Sequence, residues 1–218
     1  MNRGFALKGD ICDSRGENEL LTMPGGYGVS RGVFPRLPEE YAGLPLVDCS
    51  GKLVIPGLVD LHMHAPQYAY RGLGMDLELL DWLEAHTFPN EALYRQEEYA
   101  SEAYSMLVEE LRKGPNTRIC LFGTVHLPAT LLLMDLLEES GLVCMVGKVN
   151  MDRNCPDSLQ ESGAAASAGD TRRWLEHCTG RYLHTRPILT PRFIPACSDE
   201  LMGELAQIQR EYGLGVQS

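Results

Sequence analysis

From Lys52 onward, short apolar runs alternate with segments of helical periodicity, and this alternation restricts the possible folds more than any other feature. The predicted strands are Leu53–His62, Arg118–Thr124, Leu142–Met151, Arg186–Thr190 and Leu214–Gln217. The predicted helices are Leu77–His86, Ala92–Lys113, Ala129–Glu139, Thr171–Cys178 and Ser198–Tyr212, the last with Ser198 as N-cap and Gly213 as C-cap. Repeated βα units of this kind predict an α/β fold with a parallel sheet.

Four complete βα units and the start of a fifth correspond to about half of an eight-stranded barrel. We therefore expect residues 54–218 to form the N-terminal part of a (β/α)8 TIM-like barrel that stops in strand five. Residues 1–53 contain short strand-like pieces and many turn residues, which predict part of a small β-sandwich domain. A complete five-stranded, doubly wound domain is the alternative for the second region.

The composition argues against several classes of partner. The chain has 218 residues and a formal net charge of −11 without a basic block, so neither nucleic acid nor an anionic membrane is an expected partner. The sequence has no apolar stretch of about 18 residues, so no membrane span is expected, and the N-terminus lacks the apolar core of a secretory signal. The seven cysteines include no CxxC pair, which favours reduced thiols and a cytoplasmic protein.

His62 and His64 are the candidate metal ligands. In a strand, residues i and i+2 share a face and lie about 6–7 Å apart, so both imidazoles can reach one ion. They end an apolar run, and the carboxyl ends of parallel barrel strands carry the chemistry of such folds. A hydrogen-bonded histidine pair without a metal is the alternative. Asp60 is expected to orient a neighbouring backbone group or imidazole rather than to bind metal.

Further motifs follow in a fixed order along the chain. They are Pro56-Gly-Leu-Val-Asp-Leu-His-Met-His64, Ala65-Pro-Gln-Tyr68, Leu79-Leu-Asp-Trp-Leu83, Thr87-Phe-Pro89, Phe122-Gly-Thr-Val-His126, Gly147-Lys-Val-Asn-Met-Asp-Arg-Asn154 and Thr190-Pro-Arg-Phe193. Together they resemble the guanine deaminase family of the amidohydrolase superfamily, from about Val54 to Ser218. Each motif is short, but their shared order and spacing make a chance match improbable.

The resemblance implies roles for individual residues. His62 and His64 match the first two ligands of a single zinc ion, and His64 also matches a residue that contacts substrate. Gln67 matches a glutamine whose amide, both donor and acceptor, pairs with the purine edge. Arg192 matches an arginine that binds the purine carbonyl, and Phe193 matches an aromatic residue that packs on the base.

The activity implied by the resemblance is hydrolytic deamination of guanine to xanthine and ammonia in a protein that is a homodimer when complete. The matching pattern includes no catalytic acid or base within this chain, so we expect the 218 residues alone to be inactive. Two other hypotheses remain open. The substrate could be another aminated heterocycle, such as a triazine or pyrimidine, or the chain could be a short non-catalytic form that acts by association.

Overall fold

The computed structural model describes residues 4–218, and the chain divides into two compact units, Met1–Gly57 and Leu58–Ser218. The first unit contains a four-stranded sheet, with a 3-10 turn at Glu39–Tyr41 between its last two strands. Its strands are β1 (Ala6–Gly16), β2 (Glu19–Val29), β3 (Gly32–Phe34) and β4 (Leu46–Val54). The strand order is β3-β2-β1-β4, and β1 runs antiparallel to β2 but parallel to β4.

The second unit contains a four-stranded parallel sheet. The strands of this unit are β5 (Leu58–His64), β6 (Asn116–Phe122), β7 (Val143–Gly147), β8 (Val149–Asn150), β9 (Thr185–Pro187) and β10 (Thr190–Pro191). The main sheet has the order β5-β6-β7-β9, whereas β8 and β10 form a separate parallel pair. A parallel bridge joins Leu189 to Val216, where the sequence predicts the start of a further strand.

Six α-helices occupy the second unit. They are α1 (Leu79–Trp82), α2 (Phe88–Ala92), α3 (Glu97–Lys113), α4 (Leu127–Ser140), α5 (Ala164–Cys178) and α6 (Asp199–Tyr212). The predicted caps of α6 are confirmed, because the backbone N–H of Leu201 donates to Ser198 Oγ at 3.1 Å and Gly213 is left-handed with φ 65°. None of the helices described in residues 4–218 combines the length and apolar composition needed to cross a bilayer.

The core of the second unit lies between one face of the parallel sheet and helices α3 to α6. Ile119 and Leu121 of β6 and Val146 of β7 belong to it, together with buried aliphatic residues from all four helices. The strands follow one another in chain order without reversal, and successive helices pack side by side. A doubly wound sheet reverses its strand order and carries helices on both faces. The α/β prediction is confirmed, and the doubly wound alternative is wrong.

Several predicted boundaries are corrected by the structure. The predicted strand Leu53–His62 is two strands, because its first two residues belong to β4 and β5 begins only at Leu58. Pro56, which lies in the break, has no N–H to donate to a ladder. The predicted helix Leu77–His86 is instead the short α1 followed by a π-helical turn at Leu83–Thr87. Helix α5 begins at Ala164, seven residues before the predicted start at Thr171.

Gly147, at the end of β7, lies where neighbouring segments of the sheet are tightly packed. A Cβ atom built there would lie 1.6 Å from Thr190 Oγ1 and 2.8 Å from the backbone oxygen of Ile188. The second contact is with backbone, which a side-chain rotation cannot relieve. The packing between these segments therefore requires glycine at this position.

We expect Gly147→Ala to lower the free energy of unfolding by about 1–3 kcal/mol or more, as overpacked cores do. The matched control is Gly203→Ala within α6, where the new Cβ meets nothing within 4 Å. That change should raise stability by up to about 1 kcal/mol, because alanine favours the helix over glycine. Urea denaturation of both variants measures the difference, and equal effects would contradict the close packing at Gly147.

Candidate metal and substrate site

His62 and His64 lie on the same face of β5, and their Nε2 atoms are 3.3 Å apart. The strand carries one extra residue here, since Asp60 pairs with Ile119 and Met63 pairs with Leu121 of β6. Such a bulge bends the strand and redirects its side chains, and bulges recur beside active sites. The result is two imidazoles that converge at the carboxyl end of the edge strand.

The separation of these nitrogens fits a shared ion. Zinc–nitrogen bonds of about 2.0–2.1 Å at a tetrahedral angle place two ligand nitrogens roughly 3.3–3.4 Å apart. Within residues 4–218, no cluster of three or more His, Cys, Asp or Glu side chains forms around this point. The pair therefore provides two ligands. In the absence of an ion, the same distance suits a hydrogen bond in which one Nε2 donates and the other accepts.

Neighbouring groups fix the orientation of both imidazoles. The ring of His64 stacks on Phe122 of β6 with centroids 4.3 Å apart and planes at 13°, and the His62 ring lies 4.9 Å from the same phenyl ring. The Asp60 carboxylate accepts a hydrogen bond of 3.1 Å from the backbone N–H of His62. Asp60 thus orients the backbone, as its position predicted.

The surroundings of His64 keep its imidazole neutral. Burial, the positive charge of Arg192 and the charge of His62, in that order of size, lower the pKa of His64 from 6.5 to about 3. Its Nδ1 atom is buried and makes no hydrogen bond within the described chain. A neutral imidazole is the form that binds a metal ion, so His64 is ready to act as a ligand over the whole physiological pH range.

Arg192 follows β10 directly and is almost completely buried. Its Nη1 donates to Oε2 of Glu91 on α2, and the two side chains are only 10% and 3% exposed. The aromatic residues Tyr70, Tyr94 and Tyr104 are buried nearby, and burial together with the negative charge of Glu91 raises the pKa of Tyr70. Arg192 and Glu91 are 101 residues apart in the chain, so only the fold brings them together.

The remaining predicted substrate residues are more exposed. Gln67 lies in the 3-10 helix Ala65–Tyr70, immediately after the histidine pair, and its amide makes no hydrogen bond to the described residues. Phe193 is 63% exposed and has φ 56°, a left-handed conformation that costs a non-glycine residue about 1–3 kcal/mol. The positive charge of Arg192 thus acts on the His64 imidazole, whereas the Phe193 ring is largely exposed.

An open cleft of about 690 Å³ lies in the same unit. Its lining residues are Glu84, Phe88, Pro89, Asn154, Cys155, Pro156 and Ser158. Phe88 and Cys155 also pack against the apolar cluster that contains Phe122, on which His64 stacks. The cleft is large enough for a bicyclic base.

The motif Gly147–Asn154 is largely structural. Lys148 is fully buried, forms an ion pair of 2.5 Å with Glu161, and donates to the backbone oxygen of Val149 at 3.0 Å. The second Glu161 oxygen accepts from the backbone N–H of Met151 at 2.9 Å and from Ser167 Oγ at 2.6 Å. This network attaches β8 to α5, at the edge where the candidate site residues meet.

Two residues near the site were not singled out from the sequence. Glu91 lies two positions after the Thr87-Phe-Pro89 motif, but nothing local distinguishes a buried glutamate on a short helix from a solvated one. Gln217 donates to the backbone oxygen of Leu121 at 3.0 Å and to Thr190 Oγ1 at 2.9 Å. The predicted final strand located Gln217, although not its contacts.

Comparisons with known proteins agree on one family. The profile described as "Amidohydrolase family" matches residues 53–218. A curated guanine deaminase from Mus musculus is 39% identical over 165 residues, covering 75% of this chain and 36% of that protein. One from Escherichia coli K12 is 38% identical over 167 residues, covering 76% of this chain and 37% of that protein.

A solved structure is equally similar. The crystal structure of guanine deaminase from C. acetobutylicum with guanine bound in the active site matches with a TM-score of 0.91 and 39% sequence identity. The match covers 99% of this chain and 52% of that chain. The chain thus spans a little over a third of the length of these curated relatives and about half of the length of the protein in the solved structure. The resemblance inferred from the motifs is confirmed.

The depressed pKa of His64 predicts a loss of stability in acid. The unfolded chain binds a proton at this residue below about pH 6.5, but the folded chain does so only near pH 3, so this contribution is complete above pH 6.5 and is lost on acidification. Between pH 7 and 4.5 the wild-type chain should lose roughly 1–2 kcal/mol more than His64→Gln. Urea denaturation at both pH values checks this.

The matched control is His177→Gln, because His177 is exposed on α5. This variant should lose as much stability in acid as the wild-type chain. If His64→Gln did the same, the buried neutral imidazole would be contradicted. Histidine NMR shifts provide a direct check, since the His64 ring should remain neutral at pH 4.5.

Proposed function

The chain belongs to the amidohydrolase family, and from this premise we propose that it supplies two metal-binding histidines and the purine-binding residues of a guanine-deaminating hydrolase. The proposed reaction of the whole protein converts guanine and water to xanthine and ammonia. The observation that carries the proposal is the 3.3 Å separation of His62 and His64 Nε2 beside a buried arginine whose charge acts on His64. Identity of 39% to a guanine deaminase structure supports the choice of substrate.

Zinc is the proposed ion, because imidazole nitrogen is among its preferred ligands and the pair has the spacing of tetrahedral coordination. When bound, such an ion lowers the pKa of water and so supplies a nucleophile at neutral pH. The contribution of this chain is geometric. The β-bulge and the stack on Phe122 hold both imidazoles in place, and burial keeps His64 unprotonated.

Purine recognition is assigned to Gln67, Arg192 and Phe193. A 6-oxopurine presents a carbonyl acceptor that suits the guanidinium of Arg192, and its amide and amidine groups suit the donor and acceptor of the Gln67 side chain. In this proposal His64 both binds the metal ion and contacts the base. The exposed Phe193 ring has the freedom to stack on an aromatic ligand.

Two further properties are part of the proposal. All seven cysteines are free thiols in the structure, which supports a reducing compartment and a cytoplasmic location. The homodimer implied by the resemblance stays a prediction.

Metal binding by His62 and His64 is tested by titrating zinc into the purified 218-residue chain. We expect one ion per chain, and His62→Gln or His64→Gln should weaken binding about ten-fold or more, equivalent to roughly 1.4 kcal/mol. The control His177→Gln should bind zinc like the wild type. Equal affinity in all four proteins would favour the metal-free hydrogen-bonded pair instead.

Purine recognition is tested with Arg192→Lys, which keeps a positive charge next to Glu91 but lacks the forked guanidinium. Guanine affinity of the zinc-loaded chain should fall by about ten-fold or more, because a charge-assisted hydrogen bond contributes roughly 1.5–3 kcal/mol. Calorimetric titration with guanine measures the change. Unchanged guanine affinity together with tight binding of a triazine would support another heterocycle as substrate.

A further inference from the structure

The contacts of Arg192 are unevenly distributed around its guanidinium. Nη1 donates to Oε2 of Glu91, and no other described group accepts a hydrogen bond from this side chain. The remaining nitrogens have no hydrogen-bond partner among the described residues, but they are not fully buried. They therefore still reach solvent. A guanidinium has five N–H donors in a rigid plane. One edge is therefore fixed by Glu91, and the other donors are available to a ligand.

Glu91 is itself held in an apolar and aromatic environment. The residue is 2% exposed, and its Oε1 atom is buried without a hydrogen-bond partner in the described chain. Tyr94, whose hydroxyl donates to the backbone oxygen of Pro66 at 3.0 Å, and Tyr104 are buried beside it. A pair buried only for stability is expected to satisfy its remaining lone pairs with further hydrogen bonds. This pair leaves polar atoms unsatisfied next to the candidate site.

We propose that Glu91 is a positioning residue for purine recognition: its carboxylate fixes the Arg192 guanidinium so that the free N–H groups face the carbonyl oxygen of a 6-oxopurine. This inference rests on the proposed function and adds a residue to it. Glu91 does not touch the base. It acts through Arg192, which directly follows β10 and pairs with Glu91. Tyr94, buried beside Glu91, donates to the backbone oxygen of Pro66, two residues after His64, which places the ion pair close to the histidines.

The physical reason is preorganisation. An arginine side chain loses about 2 kcal/mol of rotamer entropy when it is ordered, and a ligand that must order it binds more weakly by part of that amount. The ion pair with Glu91 orders the guanidinium before the base arrives. Glutamine in place of Glu91 keeps the shape but removes the charge that attracts the guanidinium, so Arg192 would have to be ordered by the ligand.

The test compares two bases that differ at the carbonyl. Guanine carries the carbonyl oxygen, whereas 2-aminopurine lacks it and is fluorescent, so its binding to the zinc-loaded chain is measured directly and that of guanine by competition. The wild-type chain should prefer guanine. Glu91→Gln should weaken guanine binding about ten-fold, equivalent to roughly 1.4 kcal/mol, and leave the affinity for 2-aminopurine unchanged.

The matched control is Glu161→Gln, which removes the carboxylate of the other buried ion pair, with Lys148. It should lower stability to a similar degree but keep the preference for guanine. Glu91→Asp is the second variant, because it keeps the charge and withdraws the carboxylate by one methylene. It is expected to fold even if Glu91→Gln does not, and to show the same selective loss of guanine affinity.

The outcomes separate the inference from the proposed function. If the wild-type chain prefers guanine and both Glu91 variants keep the full preference, the positioning role is wrong and the function stands. If the variants lose both bases equally, Glu91 is only a structural residue. If the wild-type chain binds neither base, the purine function is contradicted, and the positioning role with it.

Discussion

The burial of a positive charge at Arg192 constrains the candidate site more than any other interaction. A buried guanidinium without a counter-ion costs several kcal/mol, so the chain must bring a carboxylate to it. Glu91 meets this need from the short helix α2, in the irregular helical segment between β5 and α3. The segment after the first strand of the parallel sheet is thereby tied to the end of β10, and both border the histidine pair.

The parallel sheet provides the second constraint. Its helical face is closed by the side chains of α3 to α6, which leaves the opposite face at the carboxyl edge for polar groups. His62 and His64 lie on that opposite face with Phe122 beneath them. At the outer edge of the sheet, Leu61 is 77% exposed, as expected for a βα array with an open edge. The candidate site and the packed core thus lie on different faces of the same sheet.

The two buried ion pairs have different relations to this edge. Lys148 and Glu161 belong to a network in which both carboxylate oxygens are satisfied, and it attaches β8 to α5. Arg192 and Glu91 form a pair in which donors and an acceptor remain free. Complete hydrogen bonding is what a structural pair requires, while free donors beside the histidine pair are what a ligand requires. The contrast supports a structural role for the first pair and a recognition role for the second.

Local patterns were enough to predict the α/β class, the shared face of His62 and His64, and the caps of α6, because each depends on residues a few positions apart. They failed where neighbours in the chain belong to different structures. The break at Pro56-Gly57 divides one apolar run between two sheets, and the π turn at Leu83–Thr87 interrupts a helical pattern. Neither outcome has a periodic signature.

The identity of the candidate site residues is therefore a property of the sequence, since their types and order match a family pattern. Their chemical state is a property of the tertiary structure. The low pKa of His64, the bulge that brings two nitrogens to 3.3 Å, and the choice of Glu91 as the partner of Arg192 all depend on groups that are distant in the chain. Burial and charge proximity arise only when the sheet and helices pack, and no local pattern encodes them.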